Sequence, residues 1–491
     1  MGGHPVFVRK FERTEVRGGL VQNPSQRVCC CAARLLATLL MLLLAATRGA
    51  GQTAERRYLP DRSDEDWSFL KTAPKVDVWD RLKYIPLGER RDWFVTLSGE
   101  VRYRPEGFRV RSTATRAATI DNYLLQRYLF GADVHLGTRA RVFAEVQSGI
   151  INGRLRSPRP TDLNTIDLHQ GFLEWRQTIG KHQLTAKAGR HELALGSSRL
   201  ISASPGLNVK RSFDGVGIAF RTTAWTFGGA AARLVSAKSG VFDDRADAGQ
   251  AFWGAAAGRR NGPTGRGEIG AYYLGIDRDV SLYAQGRGPE RRHTVGVKWT
   301  RAGSALTFNY DGLLQWGEFR DASIRAWAFA TETTYTLPSS RWRPRAGIRA
   351  DIASGDDDLA NPRLQSFNPL FPGNAYSGAV GLLGPTNLTD LTPSFTVSPR
   401  RNLSIGFEAP SYWRTSTADG VYSTDLRLLV PPAAGGGTYV GTNPGVLVVW
   451  QATLHCQLQA VVTRFLSGGF LEDTFVSSGF GFYSASAIYR F

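Results

Sequence analysis

The chain ends on an aromatic residue, and the segment before it alternates strictly. Tyr483, Ala485, Ala487, Tyr489 and Phe491 fall on one face; Phe482, Ser484, Ser486, Ile488 and Arg490 fall on the other. Period two is the signature of a β-strand with two different environments. A last strand of this kind is what an outer-membrane β-barrel ends on. Such a barrel has one wall against lipid and one around an aqueous lumen.

The same alternation recurs from Trp93 onward. Trp93, Val95, Leu97, Gly99, Val101 and Tyr103 oppose Phe94, Thr96, Ser98, Glu100, Arg102 and Arg104. Leu124, Gln126, Tyr128, Phe130, Ala132 and Val134 oppose Arg127, Asp133 and His135. Segments around Val142, Leu184, Val295, Leu306, Ala346 and Leu403 repeat the pattern. Many of these segments are longer than the five or six residues usual in a sandwich. At roughly 22 residues per strand and connection, residues 93–491 hold about 18 strands. The predicted fold is all-β: a transmembrane antiparallel barrel with long extracellular loops. It must close, because an open edge would leave unpaired backbone groups in lipid.

Composition fits this only once the alternation is known. A mean hydropathy of −0.22 reads as soluble, but every second barrel residue is polar. The 12 Trp and 16 Tyr supply interface girdles. One apolar run exists, Leu35 to Ala46. It follows Arg27 and Arg34 and precedes small residues. It is too short for a membrane helix and has the layout of a secretory signal. The chain therefore divides into a leader over 1–51, a periplasmic lead-in over 52–92 that packs at the barrel mouth, and the barrel over 93–491. Cys29, Cys30 and Cys31 leave with the leader, so Cys456 has no partner for an internal disulfide. Gly-, Pro-, Asn- and Asp-rich connections are expected at 149–166, 196–212, 239–250, 258–267, 354–392 and 430–445. The 354–392 connection is the candidate to fold inward and narrow a pore.

The net charge of +18, or +13 without residues 1–50, favours anionic partners. The basic residues are spread out, and no basic helix, zinc spacing or RNA-binding aromatic signature accompanies them, so nucleic acid is not expected. The partners expected are outer-membrane lipid and lipopolysaccharide, an anionic solute or polysaccharide, and a periplasmic secretion partner.

Several stretches carry more than generic alternation. They are EDWSFLK at 65–71, WDRLKYIPLG at 79–88, GRHELALGSSRLISASPGLNVKRSFDGV at 189–216 and DIASGDDD at 351–358, then SFNPLFPGNAYSGAVGLLGPTNLTDLTPS at 366–394, STADGVYS at 416–423 and SGGFLED at 467–473. Together they resemble the alginate export family of outer-membrane proteins over about residues 65–491. The resemblance implies an 18-stranded, monomeric barrel with an arginine-rich constriction. It implies a porin more firmly than it implies alginate.

Residues on the polar phase are the candidate pore lining: Arg102, Arg127, Asp133, Arg141, Glu145, Lys187, Lys298, Arg345, Arg349 and Asp351. Basic side chains in a pore favour anions, and acidic neighbours keep an anion from binding too tightly to leave. The same charges could instead pair across strands and only satisfy the lumen. Arg190, Arg211 and Asp214, in the family-like stretch, are placed at the entrance or in a loop. Asp356 and Asp358 offer a weak calcium site. Enzymatic chemistry is not expected. His191-Glu192 opens like a zinc-protease motif, but residue 195 is Leu, and no Gly-x-Ser-x-Gly elbow is present. No cofactor is called for. The expected function is a passive channel in the bacterial outer membrane for an anionic solute, such as an acidic polysaccharide like alginate. The alternatives are a general or small-anion porin, or a structural barrel plugged by its own loop.

Overall fold

The computed structural model describes residues 56–90, 92–112, 118–194, 199–261, 266–373, 380–432, 436–474 and 477–491. The leader falls outside the described residues.

Eighteen strands, each paired antiparallel with the next, make the barrel. They are β1 (Trp93–Ser112), β2 (Ala118–Leu136), β3 (Ala140–Asn152), β4 (Asn164–Ile179), β5 (His182–His191) and β6 (Phe213–Arg221). Then come β7 (Trp225–Ser236), β8 (Gln250–Asn261), β9 (Gly267–Tyr283), β10 (Gly286–Ala302), β11 (Leu306–Phe319) and β12 (Ala322–Thr336). The last six are β13 (Arg345–Ala353), β14 (Leu388–Arg400), β15 (Leu403–Glu408 with Ser411–Arg414), β16 (Tyr439–Thr442 with Gly445–Gln451), β17 (Cys456–Ser467) and β18 (Ser477–Arg490). The sheet closes where β18 pairs with β1, Arg490 opposite Glu100 and Tyr483 opposite Gly107. Closure leaves no edge, as an apolar surround requires.

The alternation sets the two faces. Leu173, Trp175, Val216, Ile218, Val297, Leu314, Phe329 and Ile348 are exposed on the outside, the apolar band that lipid covers. Trp175, Trp225 and Trp299 lie near one end of their strands, Trp316 and Trp327 near the other. They form the two aromatic girdles. Connections at the end bearing Trp93 and Phe491 are short: 137–139, 180–181, 222–224 and 401–402. That end is periplasmic in such barrels. Much of the 258–267 stretch is strand, not the long loop expected; residues 262–265 lie outside the described residues. Gly258, Arg259 and Arg260 pair with Gly270, Ile269 and Glu268 and extend β8 to Asn261.

The lead-in sits at the periplasmic mouth. The short helix α1 (Asp80–Lys83) and its flanks pack on β1. Lys83 Nζ donates to the Leu97 carbonyl at 2.9 Å, and Thr96 Oγ1 donates to the Lys83 carbonyl at 2.8 Å. Trp79 stacks on Phe491 with centroids 4.4 Å apart. That ring lies directly over Gly99, where a Cβ would come within 2.3 Å of it.

From the other end, two extracellular connections fold into the lumen. Residues 199–212 meet residues 366–372 edge to edge: Phe371 N donates to the Leu200 carbonyl at 2.7 Å, and Ser202 N to the Phe371 carbonyl at 3.0 Å. Their Leu200, Ile201, Phe367, Leu370 and Phe371 bury against inward-facing Phe213, Phe252, Leu274, Ile276 and Leu313. Part of the inner wall is therefore apolar, where a wholly polar one was expected. These side chains form an interior core that fixes both loops.

Candidate functional site: the lumen

The predicted lining residues separate into two groups. The first lies under the inserted segments. Arg102 donates to the carbonyls of Gly206 (3.1 Å) and Leu207 (2.8 Å) and to Asn208 Oδ1 (3.2 Å). Arg127 pairs with Glu100 and donates to the carbonyls of Pro205 (2.8 Å) and Leu207 (2.7 Å). Arg141 bonds Asp133 at 2.7 Å, approaches Glu174 at 3.5 Å and holds the Ser63 carbonyl of the lead-in. Lys187 lies 3.7 Å from Glu174 and over the Phe172 ring. Glu145 is fully buried beside His169. Arg102, Arg127, Asp133, Arg141 and Glu145 point inward, as the phase predicted, and all are buried. Here guanidinium groups cap loop carbonyls, which a five-donor fork does well.

The second group, Lys298, Arg345, Arg349 and Asp351, lies on the side from β6 to β15, where Arg345 is exposed, Lys298 and Arg349 are half-buried and Asp351 is buried. Arg199 reaches Asp311 at 2.7 Å, and the Tyr272 hydroxyl approaches the same carboxylate at 3.4 Å. Tyr272 can lie there because β10 carries Gly296, where a Cβ would meet the ring at 2.3 Å. Arg349 bonds Asp390 at 3.2 Å and Thr392 at 3.0 Å, and lies 3.6 Å from Asp351. Arg199, Leu313 of β11, Ala328 and Ala330 of β12, Asp351, Phe367, Asp390 and Tyr412 line a narrow cavity of about 40 Å³. This cavity, the eyelet, is lined mostly by apolar side chains, with Arg199, Asp351 and Asp390 as its charged members. Below it, toward the periplasm, Lys298 lies 3.9 Å from Glu268. Arg345 is exposed, as are Arg221 and Arg260 on the same inward phase. Among the described residues these three arginines are in no ion pair. Arg221 was not considered from sequence, and Arg260 was hidden in the misassigned turn. Inward-facing Glu332 and Glu408 are their acidic counterparts.

The entrance residues also resolve. Arg190, the penultimate residue of β5, pairs with Asp214 of β6 at 2.7 Å and ties the two strand ends together. Arg211 donates to the carbonyls of Ser202 (3.0 Å) and Phe371 (2.8 Å), clasping one loop to the other. Burial and the neighbouring Arg278 push its guanidinium down to about 10. Asp356 and Asp358 are not gathered into a cation site: Asp356 accepts from Asp358 N at 3.3 Å and backs onto Asp419. Among the described residues, the clusters that could hold a metal lie elsewhere.

The family model described as alginate export matches residues 94–479. The chain belongs to the alginate export family. No curated protein matches it in sequence. Among solved structures, it is similar to a BenF-like porin from Pseudomonas fluorescens Pf-5 (TM-score 0.55, 10% identity, covering 81% of this chain and 98% of that one). It is also similar to Pseudomonas aeruginosa OpdK, solved with vanillate (TM-score 0.52, 10% identity, 80% and 98%), and to P. aeruginosa OccK11, also called OpdR (0.51, 12%, 80% and 95%). At these identities the likeness is one of fold. The alginate export family member described here is a bacterial outer-membrane barrel and a passive channel.

Proposed function

We propose that this channel passes small acidic solutes and that the selecting charges are those on the β6–β15 side. The observation that carries this is the group of exposed arginines Arg221, Arg260 and Arg345, in no ion pair among the described residues, at the periplasmic mouth below Arg349. A cationic mouth with low-dielectric walls concentrates anions. The acidic residues at the eyelet, Asp311, Asp351 and Asp390, keep Arg199 and Arg349 extended and limit how tightly a carboxylate is held. The inserted loops and the lead-in favour a small solute over a polymer, because they occupy the lumen beside β1–β4. Vanillate, the ligand in the OpdK structure, is a convenient first carboxylate probe.

Planar-bilayer recording tests the reading. The reversal potential under a salt gradient should show anion preference. The combined change Arg221→Gln, Arg260→Gln and Arg345→Gln should move it toward cations. Cation preference in the unaltered protein, or no movement in the variant, would overturn the proposal.

A further inference from the structure

Deep in the barrel, Glu145 of β3, His169 of β4 and Glu192, just beyond β5, converge. Each offers a ligand atom within 4.8 Å of the others. His169 Nε2 lies 2.9 Å from Glu192 Oε1 and 4.0 Å from Glu145 Oε1. His169 is there because of a β-bulge. In the β3–β4 ladder Glu145 pairs with Gln170 and Val146 with Leu168, so His169 is the extra residue. The bulge turns both His169 and Gln170 to the buried side, the re-aiming for which bulges are used.

The cluster is not satisfied by its own contacts. Glu145 is 1% exposed, and neither of its carboxylate oxygens has a hydrogen-bond partner. A buried carboxylate without a partner costs several kcal/mol. The charges around it do not compensate. Lys210 is spent on Glu192 and on the Pro60 carbonyl at 3.0 Å. Arg62 is paired with Glu65 at 2.7 Å. Asp61 adds a further negative charge, its carboxylate accepting from Gln170 and Ser63 N. Glu145, Glu192 and Asp61 against Lys210 leave two negative charges in the pocket, which one divalent cation neutralises.

We propose that Glu145, His169 and Glu192 bind a divalent transition metal ion of the Zn²⁺ class. Imidazole with carboxylates suits such an ion better than Ca²⁺ or Mg²⁺. Zinc ligands at about 2.0–2.2 Å from the metal stand roughly 3.3–3.5 Å apart in a tetrahedral site, within the spacing seen here. Glu192 would ligate through Oε2 while Lys210 keeps Oε1. The ion would tie the inner wall to residues 192–212 and, through Lys210 and Pro60, to the lead-in. It is a staple for the inserted segments, distinct from the solute path beside β6–β15.

The test uses untagged, mature barrel purified in detergent, stripped with chelator and dialysed against Zn²⁺, with the metal counted by mass spectrometry and Co²⁺ absorption as an independent readout. The expected result is one Zn²⁺ per chain and a Co²⁺ band of low-coordinate type. His169→Gln and Glu145→Gln should each weaken binding at least tenfold, while His182→Gln, at the periplasmic end of β5, leaves it unchanged. Heat-modifiable gel migration identifies a variant that has not folded; Glu192→Gln then replaces it. Substoichiometric metal in the unaltered protein would overturn the proposal and mean that Glu145 is buried with a proton. Binding that His169→Gln leaves intact would overturn it equally.

Discussion

Replacing Arg102 with Gln should loosen the inserted 199–212 segment without touching the solute path. Arg102 makes three hydrogen bonds, to the Gly206 and Leu207 carbonyls and to Asn208 Oδ1, at 2.8–3.2 Å. Bonds from a charged donor contribute about 1.5–3 kcal/mol each, and less than additively when one guanidinium makes them all, so the anchor is worth ~2–4 kcal/mol. One effect opposes it. Arg102 is 2% exposed and has no carboxylate within ion-pair range among the described residues. Burying it costs desolvation that Gln does not incur. The lower end of the range applies, about 2 kcal/mol, or a rise of roughly 30-fold in the population with the segment released. Arg127 remains bonded to Pro205 and Leu207, so the release is partial and reversible. Single-channel recording should show more frequent excursions to a higher conductance, with ion selectivity unchanged. Steady conductance identical to that of the unaltered protein would refute the view that buried arginines act as struts. So would a change in selectivity without a change in conductance.

Cysteines introduced at Ile201 and Phe371, which face each other in an isolated bridge, should form a disulfide under mild oxidation, read as a gel shift reversed by reductant. Failure to cross-link would mean that the two loops separate. Asp356 in the 354–373 connection is pushed up to about 6 by burial and by Asp419, Asp357 and Asp358. A raised carboxyl destabilises the folded loop once pH exceeds its unfolded value near 3.8, and fully so above about 6. Asp356→Asn should therefore increase hydrogen-exchange protection of residues 354–373 at pH 7–8, and the difference should vanish below pH 4. Gly99→Val should drive the Phe491 ring off its seat, because a Cβ there overlaps it at 2.3 Å. The result is a lower unfolding temperature, measured by heat-modifiable migration.

The alternation made the barrel legible, because a lipid-facing wall and a lumen wall impose opposite demands on adjacent residues. The phases read around Arg102, Arg127, Arg141, Lys298 and Arg349 all point those side chains inward. Where contrast between the faces fails, so does the reading. The β8 segment QAFWGAAAG and the β9 segment AYYLGI are apolar on both faces, because Phe252, Leu274 and Ile276 cover loops instead of water. Strand β4 is obscured for another reason. The bulge at His169 shifts the phase midway, so Asp167 and Gln170 both point inward although three positions separate them. Arg260 was lost to a Gly- and Arg-rich stretch that reads as a loop yet pairs fully with β9. The inward fold of the 354–373 connection follows from its length and its apolar SFNPLF segment. That of 199–212 is harder to read, since beyond Leu200 and Ile201 it is held through its own backbone carbonyls by Arg102 and Arg127, and no side-chain pattern within the segment reports those.

The charges of the lumen thus do two different jobs, and burial separates them. An arginine buried against loop carbonyls or a buried carboxylate is held in one geometry and cannot follow a passing ion. Arg102, Arg127, Arg141 and Arg292 are of this kind; Arg292 is fully buried between Glu290, Gln315 and the Ser366 carbonyl. An exposed arginine outside any ion pair keeps most of its hydration and its field, even where, as at Arg260, one donor reaches a backbone carbonyl. Arg221, Arg260 and Arg345 are of that kind. A count of basic residues on the polar phase merges the two and overstates the positive field that a solute meets. On the reading proposed above, the field comes from the mouth, opposed by Glu332 and Glu408, and from half-buried Arg349 beside Asp351 and Asp390, whereas Arg199, buried on Asp311, belongs with the struts. Anion preference should therefore be modest. It should also weaken steeply as ionic strength rises and the screening length falls to about 3 Å at 1 M salt, because the arginines proposed to select are the exposed ones.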